Sequence, residues 1–169
     1  MTTDEKRGDA RLDDMTRGEG GDIPLAELFD RIPFAARLGL RAALDGKDVL
    51  CTMPFSAQLI GNPSLPALHG GIVATFLEAT ALATVMHAQR APENYGRCGQ
   101  DIPRVISTTV DYLRPGGPRD TFGQAEIIRL GARLSTVVAT VWQDNRDKPV
   151  ARANCHFLVA AQSAAKKRN

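Results

Sequence analysis

Apolar positions recur along this chain with two different periods. From residue 104 onward they alternate every second residue, as in strands that bury one face. In 150–159, Ala151, Ala153, Cys155, Phe157 and Val159 fall on one side, and Val150, Arg152, Asn154, His156 and Leu158 on the other. Breaks at Pro115-Gly116-Gly117-Pro118, at Gly131 and at Asp144–Lys148 divide this region into four strands near 104–114, 120–130, 133–143 and 149–160. Between Gly70 and Gln89 the alternation gives way to a run that is apolar or small nearly all round, which predicts one long helix ending before a loop at Pro92–Pro103.

Upstream, a short helix is expected from Ile23-Pro24 to about Arg31, capped by Asp22. Two extended segments, 35–44 and 47–54, should meet at an Asp45-Gly46 turn. An irregular loop from Ser56 to Leu68 holds Gly61-Asn62, Pro63 and Pro66. The order is therefore a short helix, two strands, one long helix and four strands. It lacks the alternation of a parallel βαβ sheet and fits an α+β domain in which an antiparallel sheet packs on one helix.

At 169 residues, with 43% hydrophobic and 24% charged side chains, the chain has material for one buried core and no second domain. The first 22 residues carry seven acids, four bases and four glycines, which predicts a disordered arm over 1–22 before a domain over 23–161. Lys166-Lys167-Arg168 makes 162–169 a basic tail. A net charge of +2 gives no electrostatic reason to expect a nucleic-acid or membrane partner. The longest low-charge stretch, Gly70–Met86, has a glutamate near its middle and about 17 residues, fewer than a bilayer span needs. Cys51, Cys98 and Cys155 lie 47 and 57 residues apart, so neither CxxC nor zinc-ligand spacing occurs. Reduced thiols in a soluble cytoplasmic protein are expected. No metal or cofactor is implied: no two histidines have ligand spacing, and neither a phosphate-binding glycine loop nor a G-x-S-x-G elbow is present.

The long helix contains one residue out of keeping with its surroundings. Glu78 sits two turns in, and its neighbours three and four residues away are Thr75, Ala74, Ala81 and Leu82, so no cation on the same helix can pair with it. A carboxylate among apolar neighbours costs several kcal/mol unless something compensates, as a substrate cleft or a distant arginine would. The cleft reading makes Glu78 a general base or a nucleophile. His69-Gly70-Gly71 opens the same helix, where backbone N–H groups are unpaired and two missing side chains let a carbonyl oxygen approach. Eight residues separate Gly70 from Glu78, roughly 12 Å along a helix axis. One carbonyl cannot touch both in a single chain, so a site that uses both must lie between two protomers.

Leu68-His69-Gly70-Gly71-Ile-Val-Ala-Thr-Phe-Leu-Glu78 resembles the HGG-x6-Asp/Glu signature of hotdog-fold acyl-CoA thioesterases of the phenylacetate-pathway type. Thr109-Val-Asp-Tyr-Leu-Arg-Pro115 and Arg129-Leu-Gly-Ala-Arg133 resemble later segments of the same family, in the same order. The resemblance implies a curved antiparallel sheet of about six strands around one helix, paired into homodimers or homotetramers, with an acyl-CoA or aryl-acyl-CoA as substrate. It implies that Glu78 directs water at the thioester carbonyl or attacks it, and that the Gly70 and Gly71 amides hold the carbonyl oxygen from the partner chain. Asn62 is the loop residue expected to orient water or carbonyl. His69, one of the signature residues, is expected to fix the loop by hydrogen bonds. A hydroxyl on the strand after the helix serves in some members, and Ser107 and Thr109 are the candidates here. Arg114, Arg129 and Arg133 are candidates for the CoA phosphates. A non-catalytic acyl-CoA-binding hotdog and a hotdog dehydratase are the alternatives; the second lacks its H-P-x-x-P-G or D-x-N-x-x-H motif.

Overall fold

The computed structural model describes residues 24–91 and 102–159. The Asp22 cap, the N-terminal arm, the basic tail and Cys98 lie outside the described residues. Pro24 leads into two short 3-10 turns, Leu25–Glu27 and Phe29–Arg31, where a single helix was expected. Leu28 and Phe29 anchor them in the core. The expected strand at 35–44 begins later. Pro33 takes the first position of helix α1 (Pro33–Arg37), where its fixed φ suits a helix and its missing N–H costs nothing. Gly39, at φ +67°, then turns the chain out. Strand β1 (Arg41–Asp45) follows and pairs with β2 (Asp48–Met53) through a turn in which Gly46 has φ +63°.

The Ser56–Leu68 loop is more ordered than its composition suggested. A 3-10 turn at Ala57–Leu59 leads to β3 (Ile60–Asn62), which pairs with β4 (Ala67–Leu68) beside the start of helix α2 (Gly70–Gln89). Four strands close the fold: β5 (Arg104–Tyr112), β6 (Thr121–Leu130), β7 (Leu134–Trp142) and β8 (Ala151–Leu158). They join the hairpin in a six-stranded sheet of order β1-β2-β6-β7-β8-β5, antiparallel throughout. This is the α+β hotdog arrangement.

The inner face of the sheet is the alternation read from the sequence: Val137, Ala139 and Val141 of β7 and Ala151, Ala153, Cys155 and Phe157 of β8 are all buried. Against them lie Phe76, Leu77, Ala81 and Val85 of α2. Burying a phenylalanine or leucine contributes about 1.5–3 kcal/mol. The helix packs tightly on the sheet at Gly123 of β6, where an added Cβ would stand 2.6 Å from Thr80 Oγ1. Among the described residues α2 alone is long and apolar enough to cross a bilayer; at 20 residues it exceeds the 17 counted from the sequence. Its packing against the sheet makes it the core helix of this fold.

Candidate active site

Glu78 is half-buried on the side of α2 that faces β8 and β5. Thr108 of β5 donates its hydroxyl to Glu78 Oε2 at 3.2 Å, and no cation pairs with the carboxylate among the described residues. Directly across the ladder from Thr108 stands Cys155. Burial pushes that thiol's pKa up, the Thr108 hydroxyl opposes the shift, and the negative charge of Glu78 adds to it. The arrangement is a carboxylate with one donor, one free oxygen and an apolar back wall.

The opening turn of α2 forms the second part of the site. His69 caps it: Nδ1 accepts from the Gly71 N–H at 3.0 Å, which puts the ring proton on Nε2. Its own N–H donates to the Leu59 carbonyl at 2.8 Å, fixing the preceding loop. Gly61 packs so tightly against His69 that a Cβ there would meet the histidine Cα at 2.8 Å. Tyr112, at the far end of β5, donates its hydroxyl to the Gly70 carbonyl at 2.7 Å. The two glycine amides are thus unequal. Gly71 is engaged with His69, whereas the Gly70 N–H has no acceptor among the described residues.

The other sequence candidates fall in several places. Asn62 ends β3, and its Oδ1 accepts from the Ser64 N–H at 3.0 Å, closing a local turn. Ser107 and Thr109 are exposed and lie opposite His156 and Asn154, on the face of β5 turned away from Glu78. Thr108, between them, is the hydroxyl that meets the glutamate, and sequence reasoning passed over it. Arg114 is exposed two residues beyond Tyr112. Arg129 and Arg133 are exposed near the opposite end of the sheet, beside the Leu134–Leu158–Arg104 row. At about 3.3 Å per residue, the ten residues from Arg104 to Arg114 separate Arg114 from that row by roughly 30 Å in one chain. No cluster of three or more His, Cys, Asp or Glu side chains able to hold a metal occurs among the described residues.

The model of the acyl-CoA thioesterase N-terminal domain matches residues 62–158, which include the capped glycines, Glu78 and Thr108. The chain belongs to the acyl-CoA thioesterase family. It is a thioester hydrolase of hotdog fold. A protein of Chromobacterium violaceum is 32% identical over 89% of this chain and 97% of its own, with a TM-score of 0.59. A thioesterase-superfamily protein of Shewanella oneidensis is 29% identical over 80% and 97%, with a TM-score of 0.63. A phenylacetic acid degradation-related protein of Ralstonia eutropha, 20% identical over 88% and 98% with a TM-score of 0.63, shares the fold. No curated protein matches this thioesterase in sequence.

Proposed function

We propose that this thioesterase hydrolyses acyl-CoA or aryl-acyl-CoA to the free acid and CoA, acting in the cytoplasm as a homodimer or as a homotetramer built from such dimers. Glu78 is the general base. With Oε2 held by Thr108, its other oxygen takes a proton from water as the water oxygen bonds to the thioester carbonyl carbon. The carbonyl becomes an oxyanion, which accepts from the Gly70 N–H of the partner subunit. The C–S bond then breaks, and the proton held by Glu78 goes to the departing thiolate. The observation that carries this reading is a half-buried carboxylate with a hydroxyl as its polar partner and no paired cation among the described residues.

The geometry of β5 supports the two-chain site. It is an edge strand, yet Val105, Ile106, Tyr112 and Leu113 on and just beyond it are 38–58% exposed, an apolar edge that a lone subunit would leave open to unwanted pairing. Thr108 holds Glu78 at one point of this strand and Tyr112 holds Gly70 at another. A two-fold antiparallel pairing of β5 with its own copy, centred on Val110, sets Thr108 against Tyr112 of the partner subunit. Glu78 of one chain then faces Gly70 of the other. The same pairing carries the Arg114 end of one chain toward the Arg104 and Arg133 end of its partner, so cations from both chains can meet the CoA phosphates.

Thiol release from a panel of aromatic, medium-chain and branched acyl-CoAs tests the reading. Glu78→Gln keeps the size and shape of the side chain and should lower turnover on the best substrate about 10²–10⁴-fold, with an unchanged circular dichroism spectrum. Turnover within a fewfold of wild type would remove Glu78 from the mechanism.

A further inference from the structure

Residues 113–120 join β5 to β6 without regular structure, and Pro115 and Pro118 take two backbone donors out of the segment. The Val150 carbonyl holds the N–H groups of Leu113 and Arg114 at one end, and Asp120 accepts from the Phe55 N–H at the other. The middle is held by a side chain from another strand. Gln143, half-buried just past the end of β7, accepts from the Gly117 N–H through Oε1 at 2.9 Å. Its Nε2 donates to the Gly117 carbonyl at 2.9 Å, and the Arg119 carbonyl and the Thr121 hydroxyl each stand 3.2 Å from the same nitrogen. One side-chain amide thus supplies both the donor and the acceptor that this stretch of backbone needs. The neighbouring Arg119–Asp144 ion pair is exposed at both ends and adds little.

The clamped loop reaches the start of α2. Gly116 is buried beside Gly117, and its carbonyl accepts from the Leu68 N–H at 2.8 Å. A Cβ on Gly116 would lie 3.1 Å from Leu68 Cδ1 and 3.3 Å from Val150 Cγ1, so the backbone and the side chain of Leu68 are both seated against this one residue. Leu68 leads directly into His69 and Gly70. The Leu59 carbonyl holds the His69 N–H and Tyr112 holds the Gly70 carbonyl, but neither fixes the chain at Leu68. The approach to the Gly70 N–H therefore depends on where Gly116 sits, and Gly116 is held in place through Gln143.

We propose that Gln143 is a positioning residue for the hydrolysis: by clamping Gly117 and Arg119 it sets Gly116 against Leu68 and so aims the Gly70 N–H at the thioester oxygen. This rests on the reading of Gly70 as the oxyanion donor. Gln143→Met keeps the length of the side chain and removes all of its hydrogen bonds. Misplacing a group at the reacting centre by about 1 Å can cost 10²-fold, so kcat on the best acyl-CoA should fall about 10–100-fold with KM within about twofold of wild type. Hydrogen exchange gives a readout apart from activity. The Leu68 and Gly117 amides should exchange at least about tenfold faster in Gln143→Met, while the Val85 amide within α2 keeps its wild-type rate. A general loss of stability would speed all three. Unchanged kcat, or equal acceleration at all three amides, would overturn the proposal. In the wild-type protein the Gly117 amide, with Gln143 as its acceptor, should already be protected, and free exchange there would overturn the proposal without recourse to a variant. Gly70→Pro in the same assay separates this inference from the reading beneath it. Full activity of Gly70→Pro would remove the oxyanion role of Gly70, whereas a nearly inactive Gly70→Pro beside an unaffected Gln143→Met would remove the role of Gln143 alone.

Discussion

In the proposed mechanism, two hydrogen bonds to side chains set the chemistry of the site. The first, from Thr108 to Glu78, orients a carboxylate that has apolar residues behind it. Thr108→Val removes the donor and keeps the shape. A hydrogen bond to a charged group is worth about 1.5–3 kcal/mol, so kcat should fall about tenfold or more while KM moves little. Steady-state kinetics on the best acyl-CoA check this, and a rise in KM at constant kcat would assign Thr108 to substrate binding instead. The second bond, from the Gly71 N–H to His69 Nδ1, occupies one glycine amide and leaves the Gly70 N–H without an acceptor among the described residues, as the proposed oxyanion contact requires. Cys51 shows burial acting on a group outside the site. Desolvation pushes its thiol from 9.0 to about 12, with the Thr80 hydroxyl opposing. The folded state therefore holds that proton more tightly than the unfolded chain does. The thiol's contribution to stability is complete below pH 9 and is lost as pH rises from 9 toward 12. Urea unfolding at pH 8 and pH 10.5 should show a larger loss for wild type than for Cys51→Ala. Equal losses would contradict the shift.

At the scale of elements, the contact of α2 with the sheet depends on Gly123. Gly123→Ala sets a methyl group 2.6 Å from Thr80 Oγ1 and 3.2 Å from Val141 Cγ1. Overpacking of this kind costs about 1–3 kcal/mol, and Thr80→Ala in the same chain should return part of it, as thermal unfolding of the two single variants and the double variant would show. Additive losses would mean that the helix does not approach the sheet there. The helix itself was legible in the sequence, since a run of small and apolar residues opened by Gly70-Gly71 has few other foldings. The strands from 121 onward were legible because one face of each is buried and the other is wet. Two features were hidden. Residues 35–38 read as extended because a single helical turn is too short to show a period of 3.6, and the sharper sign was Pro33 followed by Gly39. Thr108 was missed because β5 is largely exposed on both faces, so its alternation does not mark an inner side. The bulge between Val105 and Ser107 then shifts the parity by one residue. Counting from the buried β8 residues, with Cys155 opposite Thr108, recovers the phase.

For the molecule as a whole, the arrangement of pins on β5 matters most. Glu78 and Gly70 are held about 12 Å apart on one rigid helix, too far to share a carbonyl, while the strand that holds both is an open edge. In the proposed dimer, a second copy on that edge would complete two equivalent sites, each taking its base from one chain and its amide from the other. Subunit mixing tests this most directly. Gly70→Pro deletes the N–H at the first helical position, where proline is well tolerated, and His69 at φ −62°, ψ 127° already has the conformation that a following proline requires. Gly70→Pro and Glu78→Gln proteins should each be nearly inactive alone. After co-refolding in equal amounts, half the dimers are mixed and one of the two sites in each is intact, so thiol release should recover to about a quarter of the wild-type rate. A mixture no more active than its two components would contradict a site shared between chains.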